Sequence, residues 1–390
     1  MAVGASRIES LETRLLFASV HQELHRPPTT MATGDVTGDN IPDVVALVSP
    51  RDIASGMPTG RAAVVTAREA GSGQATGRRQ HQPFVFAGDG TGKFGPGQPV
   101  TKDGFEMLQV LDSSVGHVLG DPHVDFVTVG IVRPRDAASG LPTGRRQHMA
   151  IVLDGSGGGS FGEATRVALV GATDDLTNVA VGDVNGDGFL DIVGLDTIVS
   201  PRDAASGLST GRRQRSVIRV VFAGDGKGGF AAAVRSNPLY TATGNAGNNP
   251  LFDPDSRGFA DVDGDGLLDV VLLPQNGTAI VHLASSTRFD PIVLDLKRAG
   301  LDRRFSLAFE DINGDKIPDA VGLGGRDIDV ALGTGKLQFL PAVQTNLPSN
   351  GRLRLFVDAN ADGFMDYTDD AAQTWAWGNE DGSFTLSPPK

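Results

Sequence analysis

The chain alternates between short apolar, β-branched runs and breaks rich in glycine, proline and aspartate. DVVALV (43–48), PFVFAG (83–88), DIVGL (191–195) and DVVLL (269–273) are each only five or six residues long. That length, bounded by turn residues and enriched in Val, Ile and Phe, fits a buried strand better than a helix. Each repeating unit closes on a glycine-rich turn before a phenylalanine: GDGTGKF (88–94), GSGGGSF (155–161), GDGKGGF (224–230), GTGKLQF (333–339) and NEDGSF (379–384). These turns lack the following helix and the Lys-Ser/Thr pair of a phosphate-binding loop, so they read as connections between outer strands.

Ahead of the leading strand of each unit stands a nine-residue loop with oxygen-bearing side chains at alternate positions. In VGDVNGDGFLDIVGL (181–195) these are Asp183, Asn185, Asp187 and Asp191, with the carbonyl of Phe189 at position seven. Gly186 and Gly188 permit the sharp turn by accepting positive φ. The product is an all-oxygen cage, which suits a hard cation, and Ca2+ tolerates irregular coordination better than Mg2+ does. Four further loops offer the same set: Asp35, Thr37, Asp39, Ile41 and Asp43; Asp261, Asp263, Asp265, Leu267 and Asp269; Asp311, Asn313, Asp315, Ile317 and Asp319; and Asp358, Asn360, Asp362, Phe364 and Asp366. About five Ca2+ sites are expected. A sixth loop, HVLGDPHVD (117–125), has His117 and Leu119 at positions one and three and Pro122 at position six; it is expected to keep the fold and not the metal.

The loops begin like an EF-hand, but an Asp closes them at position nine and a strand follows instead of a helix. The pattern D-x-[DN]-G-D-G-x-x-D-[IV]-V resembles the FG-GAP or VCBS repeat of integrin-α-type proteins, over roughly residues 20–390. That resemblance implies an all-β fold, a β-propeller of about six blades with seven as the alternative, here one domain spanning 20–390. At the last loop Asp369, at position twelve, also leaves an EF-hand or dockerin-like arrangement open.

Successive loops start 82, 66, 78, 50 and 47 residues apart. The last two steps suit a four-stranded blade of about 40–50 residues. The longer steps are explained by a second repeat, inserted as arms at 48–61, 67–81, 132–148 and 199–215, for example VRPRDAASGLPTGRRQH. Three of the arms follow the strand that leaves the metal loop, and so project from the sheet end opposite that loop. In the first unit the run AAVVTA (62–67) reads as the next strand, which would return the extra arm, 67–81, to the loop side. The segment GQATGRRQHQPFVF (73–86) resembles part of haemolysin-coregulated proteins of type VI secretion, over fewer than twenty residues per copy; only a shared ribbon element is implied.

Charge changes the picture. The net charge is −13, while the arms carry thirteen arginines against four acidic residues, or +9. Arginine forks suit carboxylate, sulfate and phosphate groups, so an anionic glycan or protein surface is a candidate partner, against solvated hairpins whose charge prevents edge pairing. No nucleic acid partner, no membrane span and a monomer are expected. The chain has no cysteine, which removes disulfides and Cys-ligated zinc. SRIESLETRLLFASV (6–20) resembles the planctomycete N-terminal motif of exported proteins through Arg7, Leu11, Glu12, Arg14, Leu15 and Leu16, giving a leader at 1–19 and an extracellular or cell-surface location. LLFASV is also expected to supply a closing strand to the last blade.

The seven histidines show no ligand or nucleophile spacing, and neither a G-x-S-x-G elbow nor an H-E-x-x-H pair occurs. No enzyme is expected. Trp375 and Trp377 read as packing in the last blade rather than as a sugar platform. The function expected is a calcium-binding propeller acting as a binding or adhesion module for surface glycans or proteins; a structural envelope protein is the alternative, and a polysaccharide-degrading enzyme a more distant one.

Overall fold

A computed structural model of the chain describes residues 30–48, 80–91, 94–95, 97–100, 105–132, 146–173, 176–202, 209–243, 257–273, 278–285, 291–301, 306–324, 327–347, 354–369 and 375–386. The fold is all-β, without a helix among these residues, and is that of a β-propeller. The chain falls into two compact units, one comprising residues 1–168, 347–380 and 384–390, the other 169–346 and 381–383.

The first unit opens with two blades. Blade one is β1 (Thr30–Gly34), β2 (Asp43–Val48), β3 (Gln80–Phe86) and β4 (Gln98–Pro99), with β5 (Phe105–Glu106) also paired to β3. Blade two is β6 (Gln109–Gly116), β7 (Asp125–Val132), β8 (Gln147–Gly157) and β9 (Ser160–Ala168). The second unit holds three. Blade three is β10 (Thr177–Gly182), β11 (Asp191–Arg202), β12 (Ser209–Phe222) and β13 (Val234–Arg235), with β14 (Tyr240–Thr243) also on β12. Blade four is β15 (Arg257–Ala260), β16 (Asp269–Leu272), β17 (Thr278–His282) and β18 (Ile292–Asp295); blade five is β19 (Ser306–Glu310), β20 (Asp319–Gly324), β21 (Asp327–Ala331) and β22 (Val343–Asn346). Every pairing is antiparallel between neighbours in sequence, apart from the added β5 and β14.

The sixth repeat belongs to the first unit and is divided. β23 (Arg354–Val357) pairs with β24 (Asp366–Asp369), and β25 (Trp377–Gly378) with β26 (Phe384–Thr385). One bridge, Tyr367 to Ala376, joins the two halves through reciprocal 2.9 Å backbone hydrogen bonds. The described residues thus hold five blades, two of them with an added fifth strand, and a split sixth repeat, where about six blades are expected from the loops.

The second strand of each blade is apolar without alternation because both its faces are covered. In β2, Val45 and Leu47 pack with Val85, Phe126 and Ile151, while Val44 and Ala46 pack with Phe84, Phe86, Val357, Ala359, Trp375 and Trp377. Within the second unit, Leu195 and Val217 of blade three pack with Val270 and Leu272 of blade four.

The arms leave the ends of the sheets away from the metal loops, as expected for three of them. β11 and β12 pair from Ile192–Phe222, beside the loop, to Ser200–Gln214 and, after a shift of register, to Arg202–Ser209 at the far end. In blade one the third strand lies elsewhere than expected. β3 bonds directly to β2, from Val44–Phe86 to Val48–Gln82, so residues 80–86 and not AAVVTA take the third strand's place. The chain therefore leaves β2 and enters β3 at the same far end. Residues 49–79 themselves lie outside the described residues, as do the leader 1–19 and the proposed closing strand LLFASV.

Candidate metal-binding loops

Every loop joins the first two strands of its blade, from the register pair Gly34–Asp43 in blade one to Val357–Asp366 in the sixth repeat. The ninth-position Asp is therefore the first residue of the buried strand. Asp43, Asp125, Asp191, Asp269, Asp319 and Asp366 are all fully buried. One carboxylate oxygen of each accepts the amide of loop position two, at 2.8–3.0 Å, from Val36, Val118, Val184, Val262, Ile312 and Ala359. The other accepts an amide where the third strand turns toward the fourth: Gly88, Gly155, Gly224, Ala284, Gly333 or Gly378, at 2.7–3.0 Å. Sequence reasoning missed this second partner. Its signal was present, since five of the six are glycines, and a Cβ there would lie 2.1–2.4 Å from the carbonyl of loop position eight.

The first-position Asp organises the loop from the other side. Its Oδ2 accepts the position-six amide in five loops, from Asn40, Gly188, Gly266, Lys316 and Gly363, at 2.8–2.9 Å. Position six has positive φ in all five, including the non-glycine Asn40 (64°) and Lys316 (65°). Position four likewise has positive φ, even at Ala361 (57°), so the backbone path overrides the local preference of these residues.

The second loop departs in a matched way. Pro122 at position six has no amide to donate, and His117 at position one has no carboxylate to receive it. His117 Nδ1 instead lies 3.1 Å from the carbonyl of His123 at position seven. Asp125 nonetheless keeps its bonds to Val118, Leu119 and Gly155. The ninth Asp is thus a fastening of the fold even in the loop that lacks the oxygen ligands of positions one and three, and can offer an ion only the lone pairs left over.

Two observations fit a cation. Carboxylate oxygens of Asp261, Asp263 and Asp265 converge within 4.8 Å of one another. Thr37 Oγ1, at position three of the first loop, is buried with no hydrogen-bond partner among the described residues. Convergent charge and an unanswered oxygen are what an oxygen-ligated ion would satisfy. If calcium is held, Asp261, Asp263, Asp265 and the Leu267 carbonyl would supply the ligands of the fourth loop, with Asp269 behind them.

Electrostatics agree. Burial pushes Asp269 and Asp366 up to about 7 and Asp319 to about 6, opposed by their backbone hydrogen bonds and reinforced by the neighbouring loop aspartates. Burial also raises Asp191, and burial with the charges of Asp265 and Asp261 raises Asp263. Arg219, on β12, is lowered by burial, while the charges of Asp269 and Asp191 oppose the shift.

Other expected features resolve as packing. Trp375 and Trp377 are buried, and Trp375 stacks on Phe94 with ring centroids 6.1 Å apart. His81 and His148 are buried at the start of their third strands. A cavity of about 450 Å3 lies along β15 and β19, lined by Phe259, Leu268, Leu307 and Phe309, with Asp261 and Glu310 at its polar side.

Residues 261–321 match the FG-GAP-like repeat family. The match spans the fourth and fifth loops and supports an FG-GAP-type propeller. No curated protein matches the sequence. Solved structures that resemble the fold include an Agrocybe aegerita lectin that recognises non-reducing terminal N-acetylglucosamine, at 19% identity over 92% of this chain and 79% of that one, TM-score 0.47. The Photorhabdus luminescens Tc holotoxin pore shares 14% identity over 90% of this chain but 13% of its own length, TM-score 0.47. The exotype rhamnogalacturonan lyase YesX shares 14% over 94% and 75%, TM-score 0.31. At these scores none of the three bears on what this chain binds or does.

Proposed function

We propose that the chain is an extracellular, calcium-stabilised propeller that acts as a binding module rather than an enzyme. The convergence of Asp261, Asp263 and Asp265 carries the calcium half of this reading, because a cation among three converging carboxylates would offset their repulsion. An affinity of ~0.1–1 mM, typical of extracellular modules, would keep such loops filled outside the cell and empty inside it. The binding half rests on the arms. Their far-end position separates a ribbon bearing Arg202, Arg212, Arg213 and Arg215 from the acidic loop at the other end of the same blade. An acidic polysaccharide or protein surface matches that ribbon's charge.

Calorimetry tests the first half. Ca2+ should raise the melting temperature and EDTA should reverse the rise; no shift would remove the metal's structural role. A glycan array run with and without EDTA tests the second. A salt-sensitive, EDTA-insensitive signal that disappears on deletion of 132–148 and 199–215 supports the arms. A signal that survives the deletion overturns them, and no signal in any condition leaves a structural envelope role.

A further inference from the structure

The loops of blades three and four are joined to each other. The amide of Leu268, at position eight of the fourth loop, donates to the backbone carbonyl of Asp183, position one of the third, at 3.0 Å. The approach is close because Gly182 has no side chain: a Cβ there would lie 2.5 Å from Leu268 Cδ1. Asp183 in turn gathers the amides of Asn185, Gly186 and Gly188 around its carboxylate at 2.7–2.9 Å.

The Leu268 amide belongs to the same planar peptide as the Leu267 carbonyl, the seventh-position oxygen. Peptide groups polarise as a whole, so a cation drawing on that carbonyl makes the attached N–H a stronger donor. The bond therefore links the expected ion site of one loop to the first ligand residue of the next. At the following junction the relay is absent for a covalent reason. Gly264 packs against Pro318 at position eight of the fifth loop, so closely that a Cβ on Gly264 would lie 3.1 Å from Pro318 Cδ, and proline has no N–H to offer.

We propose that the loops at 183–191 and 261–269 take up calcium as a positively coupled pair through the Leu267–Leu268 peptide, while the loop at 311–319 fills independently of them. The proposal rests on the calcium reading above and adds to it an order among sites.

Full-length chain labelled with 15N-glycine allows each loop to be titrated with Ca2+ separately, through Gly186 and Gly188 on one side and Gly264 and Gly266 on the other. Asp261→Ala should weaken calcium at the third loop by about threefold to tenfold, the range of one hydrogen bond's net worth. Coupling is reciprocal, so Asp183→Ala should weaken the fourth loop by the same factor, and Asp311→Ala should leave the third unchanged. Leu268→Pro removes the donor at a position where proline is native in two sister loops, and should abolish the mutual effect; Leu268→Ala keeps the amide and should preserve it. Unchanged constants in both Asp variants, or full coupling in Leu268→Pro, would overturn the proposal while leaving calcium binding intact. Failure of either loop to respond to Ca2+ in the unaltered chain would instead overturn the calcium reading, and the proposal with it.

Discussion

The amide of Gly224 donates to Oδ1 of Asp191 across thirty-three residues, at 2.8 Å. A nine-residue loop is thereby fastened to the turn that begins the outer half of the same blade. The pairing recurs at Asp43–Gly88, Asp125–Gly155, Asp319–Gly333 and Asp366–Gly378, so the ninth loop position serves the sheet before it serves any ion.

Asp125→Asn isolates that role, because the second loop lacks the oxygen ligands of positions one and three. The amide group would set an N–H against one of the three buried backbone donors, at a cost of about 1–3 kcal/mol. The loss, read by urea unfolding, should be equal in Ca2+ and in EDTA. At Asp269 the same substitution should cost more in Ca2+ than in EDTA. Gly224→Ala should destabilise by about 1–3 kcal/mol in either condition, since its Cβ would sit 2.4 Å from the Leu190 carbonyl.

A site can be built where none is expected. His117→Asp with Leu119→Asp and Pro122→Gly restores the carboxylates and the missing amide donor together. Isothermal titration should then count one more Ca2+ per chain than before. An unchanged count would show that the loop's path, and not its ligands, excludes the ion.

Calcium-free protein should become more stable toward acid over a defined window. Asp269 and Asp366 titrate near 7 and Asp319 near 6 when folded, against about 4 when unfolded. The folded state therefore holds extra protons between those values, and the stability they confer is complete below about pH 4 and lost as pH rises through 6 to 7. In EDTA the melting temperature should be higher at pH 5 than at pH 8. Added Ca2+ should raise it more at pH 8. A melting temperature in EDTA that climbs from pH 5 to pH 8 would contradict this.

Trp375 tests packing against ligand stacking. Its indole Nε1 is buried without a hydrogen-bond partner among the described residues. Trp375→Phe removes that orphan donor and should change stability by no more than about 1.5 kcal/mol, whereas Trp375→Ala should cost about 3–5 kcal/mol. Loss of glycan binding in a fully stable Trp375→Phe protein would revive a surface role.

The strands and loops were legible in the sequence because their signals are local: DIVGL announces a doubly covered strand, and the spacing of aspartates and glycines announces a sharply turned loop. What escaped was non-local. The run at 62–67 reads as a strand by composition, yet β2 bonds to residues 80–86, and nothing within six residues tells which of two apolar runs a partner will choose. The Asp–Gly fastening spans 12 to 45 residues, and only the recurrence of a glycine in the same place could have disclosed it. Loop coupling depends on Leu268 meeting a neighbouring repeat, which no single repeat can reveal.

The third strands of blades one and three bear on the solubility of a chain built from near-identical copies. Repeated segments can replace one another, and an open ladder invites a strand from a second molecule. Here the outer side of β3 is met by β4 and β5, each of two residues, and that of β12 by β13 and β14, of two and four. β4 also ends in Pro99, which has no amide to share. An invading strand would find most of β3, and β12 from Gln214 to Val221, already met on the outer side and, beyond that cover, an edge too short to template its own kind.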